Sequence, residues 1–351
     1  MLTETQLKEI REHLENARNP VFFFDNDPDG LCSFLILQRY TGRGKGISLR
    51  GHSSVTKSFF KRVQELSADY IFALDRAIFE EGFLELANEA NIPVVGIDHH
   101  DIPKPNIKYY YNTFEVSKKN EPTSYLCYQA TRRKEDMWLA LIGSIADGYV
   151  PDFIDDFRKE DPELIDVHYK DAFDIRYKTL FGKIIHILGY GLFDKTSNVV
   201  SMMKFLIKAK GPRDILEENP KTKSFLQRYE TIEKRVKTVV KDAEESIDED
   251  KKLLFFTYGG EMSVSQYIAD ELMYKHPGIT IVIGFLKGNS AKFSLRADFD
   301  MRTASLNAIK DIAGATGGGH KNSCGVQMTA EDVPVFKEKL LKEIEKMRKE
   351  K

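Results

Sequence analysis

Residues Val21-Phe22-Phe23-Phe24-Asp25-Asn26-Asp27-Pro28-Asp29-Gly30 pass from an unbroken apolar run into three alternate carboxylates, a proline and a glycine. Strands buried on both faces of a parallel sheet read as continuous apolar runs, and ligands of such sheets bind beyond the carboxyl ends of the strands. The same pattern recurs at Asp69-Tyr70-Ile71-Phe72-Ala73-Leu74-Asp75 and at Ile92-Pro93-Val94-Val95-Gly96-Ile97-Asp98-His99-His100. Three strands then deliver their acids to one place. Any one of these aspartates is explained by capping the helix that follows it, but Asp25, Asp27 and Asp29 cannot all cap one helix. Clustered like charges persist only where protons or cations neutralise them. Oxygen donors joined by imidazoles suit Mn²⁺ or Mg²⁺, so a metal site is the expectation.

Between the acidic ends the periodicity switches to helix. Thr3 to Gln6 resembles a capping box opening a helix to Ala17, with Leu7, Ile10 and Leu14 on one side. Leu31 to Tyr40 reads as the helix after the first acidic turn, Gly46 to His52 as a second strand, and Val55 to Leu66 and Glu80 to Ala90 as crossovers. Strands alternating with helices predict a doubly wound, mostly parallel α/β sheet. Pro122 to Arg133 is helical, and the apolar stretch Met137 to Gly148 reads as a helix ending at a fourth candidate acid, Asp147.

At 351 residues the chain exceeds a usual single core, so two domains are expected. The division runs 1–211 for the acidic domain and 212–250 for a helical linker. A smaller α/β domain follows at 251–351, with strands at Lys252 to Tyr258, Thr280 to Phe285 and Lys292 to Ala297. Its glycine cluster, Gly317-Gly318-Gly319-His320, lacks the spacing of a P-loop or a dinucleotide fingerprint. Consecutive glycines in a turn can nevertheless form an anion-binding nest, to which His320 adds a donor. Arg296 on the alternating strand could clamp a phosphate through two bonds.

Composition excludes other classes. The chain is 42% apolar and 30% charged with a formal charge of −2, unlike a generic duplex binder with a strongly basic footprint. The basic runs Lys57, Lys61 and Arg62, then Lys118 and Lys119, then Arg132, Arg133 and Lys134 read as solvated helix faces. Cys32, Cys127 and Cys324 are too far apart for a CxxC metal pair or a disulfide framework, which points to a reducing compartment. The N-terminus lacks signal-peptide features and no run is long enough to span a bilayer, so a cytoplasmic protein is expected, with no membrane partner.

Taken in order, these motifs resemble the DHH-family phosphoesterases with their associated C-terminal domain. Asp25-x-Asp27-x-Asp29-Gly30 is similar to the first family motif, Asp75 to the second, Asp98-His99-His100 to the motif that names the family and Asp147 to the fourth. Ser294-x-Arg296 and Gly317-Gly318-Gly319-His320 resemble the substrate-binding signatures of the partner domain. The Asp-first version of the opening motif, with Leu31 where several small-substrate members carry a further acid, looks most like the RecJ-type single-strand exonucleases, including archaeal relatives.

The resemblance implies two divalent ions, Mn²⁺ foremost with Mg²⁺ as the other candidate, held by Asp25, Asp27, Asp29, Asp75, His99 and Asp147, with Asp75 between them. Which of Asp25 and Asp27 serves each ion stays open. It also implies that His100, with Asp98, serves the scissile phosphate, and that Ser294, Arg296, Gly317, Gly318, Gly319 and His320 bind substrate. The implied activity is hydrolysis of single-stranded DNA or RNA from an end, in a repair setting and with a replication or repair protein as partner. The alternatives are a nanoRNase or nucleotide phosphatase acting on short oligonucleotides, and a non-catalytic replication-associated DHH scaffold. No additional oligonucleotide-binding domain is evident, so high processivity on long DNA is not expected.

Overall fold

The computed structural model describes residues 1–50 and 54–349, and the chain divides into two compact units, Met1–Tyr229 and Glu230–Lys351.

The first unit opens with helix α1 (Glu4–Asn16), whose Thr3 and Gln6 form the expected reciprocal capping box and whose Leu7, Ile10 and Leu14 are buried. It continues through β1 (Pro20–Phe24), α2 (Pro28–Thr41), β2 (Lys45–Ser48), α3 (Phe60–Glu65), β3 (Tyr70–Leu74), α4 (Glu81–Glu89), β4 (Val94–Asp98) and β5 (Tyr109–Asn112). Seven helices follow: α5 (Thr113–Ser117), α6 (Thr123–Thr131), α7 (Met137–Ala146), α8 (Ile154–Glu160), α9 (Ala172–Lys178), α10 (Leu180–Gly191) and α11 (Thr196–Leu206). The strands form a five-stranded sheet in the order β2-β1-β3-β4-β5, with every neighbouring pair parallel. This is the doubly wound arrangement expected.

Period-two alternation explains why the first strand is apolar throughout. Phe22 and Phe24 pack into the larger core with α1, α2, α6, α7 and α10. Val21 and Phe23 face the opposite core with Phe60, Val63, Phe83 and Ala87 from α3 and α4. Consecutive strands thus send their helices to opposite faces about β1 and β3, and the crevice at such a reversal is where α/β sheets place ligands. Asp25 and Asp75 follow those two strands.

Three sequence expectations shift. The helix after β1 starts at Pro28, with the Asp27 side chain capping the Gly30 amide and proline in the first turn, so Asp29 belongs to the helix and not to a preceding turn. The second strand spans Lys45–Ser48, while the rest of its expected range reaches Gly51 and His52, which lie outside the described residues. Val55 bridges Phe79, and a short 3₁₀ turn at Lys57–Phe59 replaces the start of the expected helix. The strand Tyr109–Asn112 was not anticipated, since Tyr109-Tyr110-Tyr111 carries a strand-like pattern too short to rank on periodicity.

Helix α12 (Lys223–Glu244) contains the division between the units. The helical linker expected over 212–250 stops short of its end, because β6 (Ile247–Asp248) pairs with β7 (Leu253–Gly259). The second unit then adds α13 (Ser265–Lys275), β8 (Thr280–Lys287), β9 (Ser290–Arg296), α14 (Met301–Ile309), β10 (Thr316–Gly319), β11 (Ser323–Thr329) and α15 (Val333–Lys349). These strands make a mixed six-stranded sheet, order β10-β11-β9-β8-β7-β6. Its core joins Phe293 and Leu295 of β9 to Phe336, Leu340 and Ile344 of α15. Among the described residues no helix is long and apolar enough to cross a membrane.

Candidate metal centre

Each acid is placed by a local device. Gly30 lies so close to the end of β1 that a Cβ there would sit 2.5 Å from the Asp25 carbonyl oxygen, so only glycine lets α2 start where it does. Asp75 sits just past β3 at φ 64°, in the left-handed region that non-glycine residues seldom adopt. The amide of Asp75 is anchored to the Ile97 carbonyl at 2.9 Å.

Asp29 is fully buried, and its carboxylate accepts from the start of α6: the Thr123 amide at 2.7 Å, the Ser124 amide at 3.0 Å and the Ser124 hydroxyl. A helix N-terminus is where a buried carboxylate is best tolerated. Gly143 of α7 closes this cradle, since a Cβ there would meet the Ser124 Oγ at 2.3 Å and the Asp29 Oδ1 at 2.7 Å. Gly143→Ala is therefore expected to lower stability by about 1–3 kcal/mol through overpacking. Urea denaturation checks this, and an unchanged midpoint would refute the close fit.

Three donor groups meet around Asp75. Ligand atoms of Asp29, Asp75, His99 and Asp147 lie within 4.8 Å of one another, as do those of Asp25, Asp27 and Asp75, and those of Asp75, Asp98 and His100. The His99 Nε2 is 3.0 Å from Asp75 and 3.2 Å from Asp147, while its Nδ1 contacts the Asn120 side-chain oxygen. That contact makes Nδ1 the protonated nitrogen and turns Nε2 toward the acids. Asp75 Oδ2 is buried and receives no hydrogen bond.

Burial, followed by Asp25 and Asp29, pushes the Asp27 carboxyl up to about 7. Burial and the neighbouring carboxylates likewise raise Asp75 and Asp147 well above the usual range, and burial lowers His99. Divalent cations fit this donor set. They would supply the missing partner of Asp75 Oδ2 and relieve a repulsion that otherwise requires protons.

Asp98 is arranged differently. Its carboxylate accepts from the Ala77 amide at 2.9 Å, the His99 amide at 2.7 Å and the His100 Nδ1 at 2.7 Å. Burial raises this carboxyl, but the bond and charge of His100 outweigh burial and hold it below the usual range. Asp98 in turn raises His100 against the opposing effect of burial.

Sequence reasoning missed Arg76, Thr123, Ser124 and Asn120. Arg76 pairs with Asp25, and its position directly after the strand-ending Asp75 was the available signal. The Pro122-Thr123-Ser124 helix start could likewise have been read as an acceptor site for an acid. The basic run at Arg132, Arg133 and Lys134 is absorbed by ion pairs to Glu4, Glu135 and Asp136, and Glu160. The three cysteines are free and buried.

In the second unit the expected substrate residues lie on neighbouring strands. Gly317 to Gly319 do not form a nest-like turn: they are the exposed edge strand β10, paired antiparallel with β11. Ser294, Gly325 and Gly318 fall in one cross-strand row, so two glycines leave the backbone bare beside Ser294. His320 closes the tight turn that follows, its amide donating to the Ser323 carbonyl at 2.8 Å. Arg296 departs from expectation, because its side chain is 5% exposed and its Nε is bonded to Asp270 at 2.7 Å. A buried guanidinium with a fixed carboxylate partner is not an open two-point phosphate clamp.

No family model matches the sequence, and no curated protein matches it in the sequence comparison. Solved structures are similar. RecJ from Thermus thermophilus, in complex with Mn²⁺, matches with a TM-score of 0.70 at 15% identity over 97% of this chain, which spans only 55% of that one. An exonuclease RecJ bound to manganese matches at TM-score 0.61 and 16% identity, covering 96% of this chain and 92% of the other. The DHH domain of a protein assigned to a family of ribosomal proteins matches at TM-score 0.72 and 14% identity, covering 98% and 91%. The chain has the RecJ and DHH-domain fold. Both units take part, since each match covers nearly all of the chain.

Proposed function

We propose that this protein is a divalent-metal-dependent phosphoesterase, a RecJ-like exonuclease that hydrolyses single-stranded nucleic acid from an end. The observation that carries the reading is Asp75, shared by three donor groups, buried, and unsatisfied at Oδ2. In this reading Asp25, Asp27, Asp29, Asp75, His99 and Asp147 hold two ions. The bound ions supply Lewis-acid activation of water and neutralise charge on the phosphoryl oxygens. Asp98 fixes the ring of His100 through Nδ1, so Nε2 is the nitrogen that donates to a phosphate oxygen. Asp98 raises His100 against burial, which favours the charged form of that donor, and a charged donor makes the stronger bond. Residues 251–351 serve as the substrate domain, with Ser294, Gly317, Gly318, Gly319 and His320 along the strand and the bare backbone row, and Arg296 stiffening its end. The two RecJ structures holding manganese support Mn²⁺ as the working ion, and a cytoplasmic role in repair, with a replication or repair partner, is part of the same proposal.

End-labelled DNA and RNA strands of graded length, sampled in time with Mn²⁺ and with excess EDTA, test this. A stepwise ladder from one end that EDTA abolishes is expected. Turnover confined to the shortest oligonucleotides would select the trimming enzyme, no hydrolysis by metal-loaded protein would select the scaffold, and full turnover after verified metal removal would end the metal proposal.

Arg76 offers an independent check. It occupies a carboxylate assigned here to metal, so Arg76→Gln is expected to tighten Mn²⁺ binding by about five- to tenfold, from removal of one nearby positive charge. Calorimetric titration reads this without substrate, and weaker Mn²⁺ binding would show that Arg76 supports the site instead of competing for it.

A further inference from the structure

Apart from the acidic centre, the first unit carries a groove of about 440 Å³. Gly44 to Ser48 all line it. Alternate side chains of a strand point to opposite faces, so consecutive residues share one groove only where it runs along the strand's backbone edge. β2 is an edge strand of the five-stranded sheet, paired with β1 alone among the described residues. The facing wall is one stripe of α11 and its cap, Thr196, Val199, Val200, Met203, Lys204 and Ile207, spaced as a single helix face. Leu66 and Leu192 complete an aliphatic floor.

Open strand edges pair readily with further strands, and folded proteins commonly block them. Here the edge is half-buried at Gly46, Ile47 and Ser48 and left beside an apolar trough. Charge at the rim is one-sided. Lys45, Arg50, Arg62 and Lys204 line it against one acid, Glu65, and Glu65 is already paired with Arg62 at 2.7 Å.

We propose that this groove is a peptide-docking site: an extended segment of a partner protein, aliphatic at its centre and flanked by Asp or Glu, adds as a strand to β2. Backbone bonds to the β2 edge supply affinity, the aliphatic floor takes alternate side chains, and the basic rim selects acidic flanks. Single-stranded nucleic acid fits less well. Its bases need aromatic faces for stacking, and among the described residues that line the groove the one aromatic, Phe34, is 2% exposed. Its sugar–phosphate chain also offers no donors and acceptors in strand register. A seated segment would end against Asn26, which lines the groove and accepts from the Ser48 hydroxyl at 2.6 Å. The proposal is independent of the hydrolytic reading, because it uses none of the acids or His99.

Fluorescence polarisation of a short labelled peptide, aliphatic at the centre with Asp/Glu flanks and blocked termini, tests it on the full chain. Expected are saturable binding, a loss of at least about tenfold when the flanks become Lys, and a similar loss when alternate peptide amides are N-methylated. Lys204→Glu, at an exposed position, should weaken binding about fivefold or more without changing the thermal melt. Hydrogen exchange should show the β2 amides on the free edge, those not bonded to β1, protected only when the peptide is present. Equal binding of acidic and basic peptides, displacement of the peptide by oligothymidylate, indifference to N-methylation, no binding at all, or free-edge β2 amides protected without peptide would each overturn the proposal.

Discussion

Asp75→Ala is expected to reduce hydrolysis by about 10³-fold or more, because one residue serves all three donor groups and its loss removes a ligand from both assigned ions. Stability should move the other way in chelated protein. Asp27, Asp75 and Asp147 have carboxyls raised in the folded state, so the folded protein holds protons that the unfolded chain has already released. The unfolded state then binds fewer protons, and unfolding free energy falls as pH rises from the ordinary carboxylate range through about 7, the value reached by Asp27. Chelated wild type should melt lower at pH 8 than at pH 5, with Mn²⁺ restoring most of the difference. Asp75→Ala removes one buried carboxylate and flattens that slope. Thermal melts across pH, with and without Mn²⁺, check the prediction together with the nuclease assay. A variant near wild-type rates, or a chelated protein that gains stability with pH, would mean that Asp75 does not sit between two ions.

How much of this could be read from the sequence depended on the range of the interactions. The strand ends at Asp25, Asp75 and Asp98 were legible because a doubly buried strand must be apolar and anything else at its end needs a reason. His99 and Asp147 came with them, being adjacent to a strand end and at a helix end. The cradle of Asp29 was not legible, since it depends on Thr123, Ser124 and Gly143, about a hundred residues away, and no periodicity marks such a contact. Asp98 showed a related gap. As a string, Asp-His-His offers three ligands, yet the folded Asp98 spends both oxygens on amides and on His100. The glycine run was misread for the opposite reason: its composition favours a turn, but pairing with β11 makes it a strand, a case of tertiary partners overriding local propensity. The groove along β2 left no sequence signal, because an open edge is a property of the sheet.

Arg296→Ala is expected to cost about 3–5 kcal/mol of stability in the second unit, far more than a surface arginine would, because it leaves the buried carboxylate of Asp270 without its guanidinium. This changes what the residue can be used to test. As an exposed clamp, Arg296 could be truncated to report on substrate contact alone. As a buried partner of Asp270, its removal loosens the end of β9, where Arg296 pairs in register with Ser323 and Ile281, so lost binding would follow from disorder as readily as from a lost contact. Replacing both partners by apolar groups of similar volume separates the two effects, since removing a whole buried ion pair is often close to neutral. The double variant Arg296→Met, Asp270→Leu should therefore recover most of the stability lost in Arg296→Ala. If it also binds oligonucleotide as wild type does, Arg296 acts through the fold; if it is stable yet binds at least about tenfold more weakly, the guanidinium itself touches substrate. Urea denaturation of the variants, read beside oligonucleotide titration, decides this, and an Arg296→Ala protein as stable as wild type would show that the Asp270 pair contributes little to the second unit.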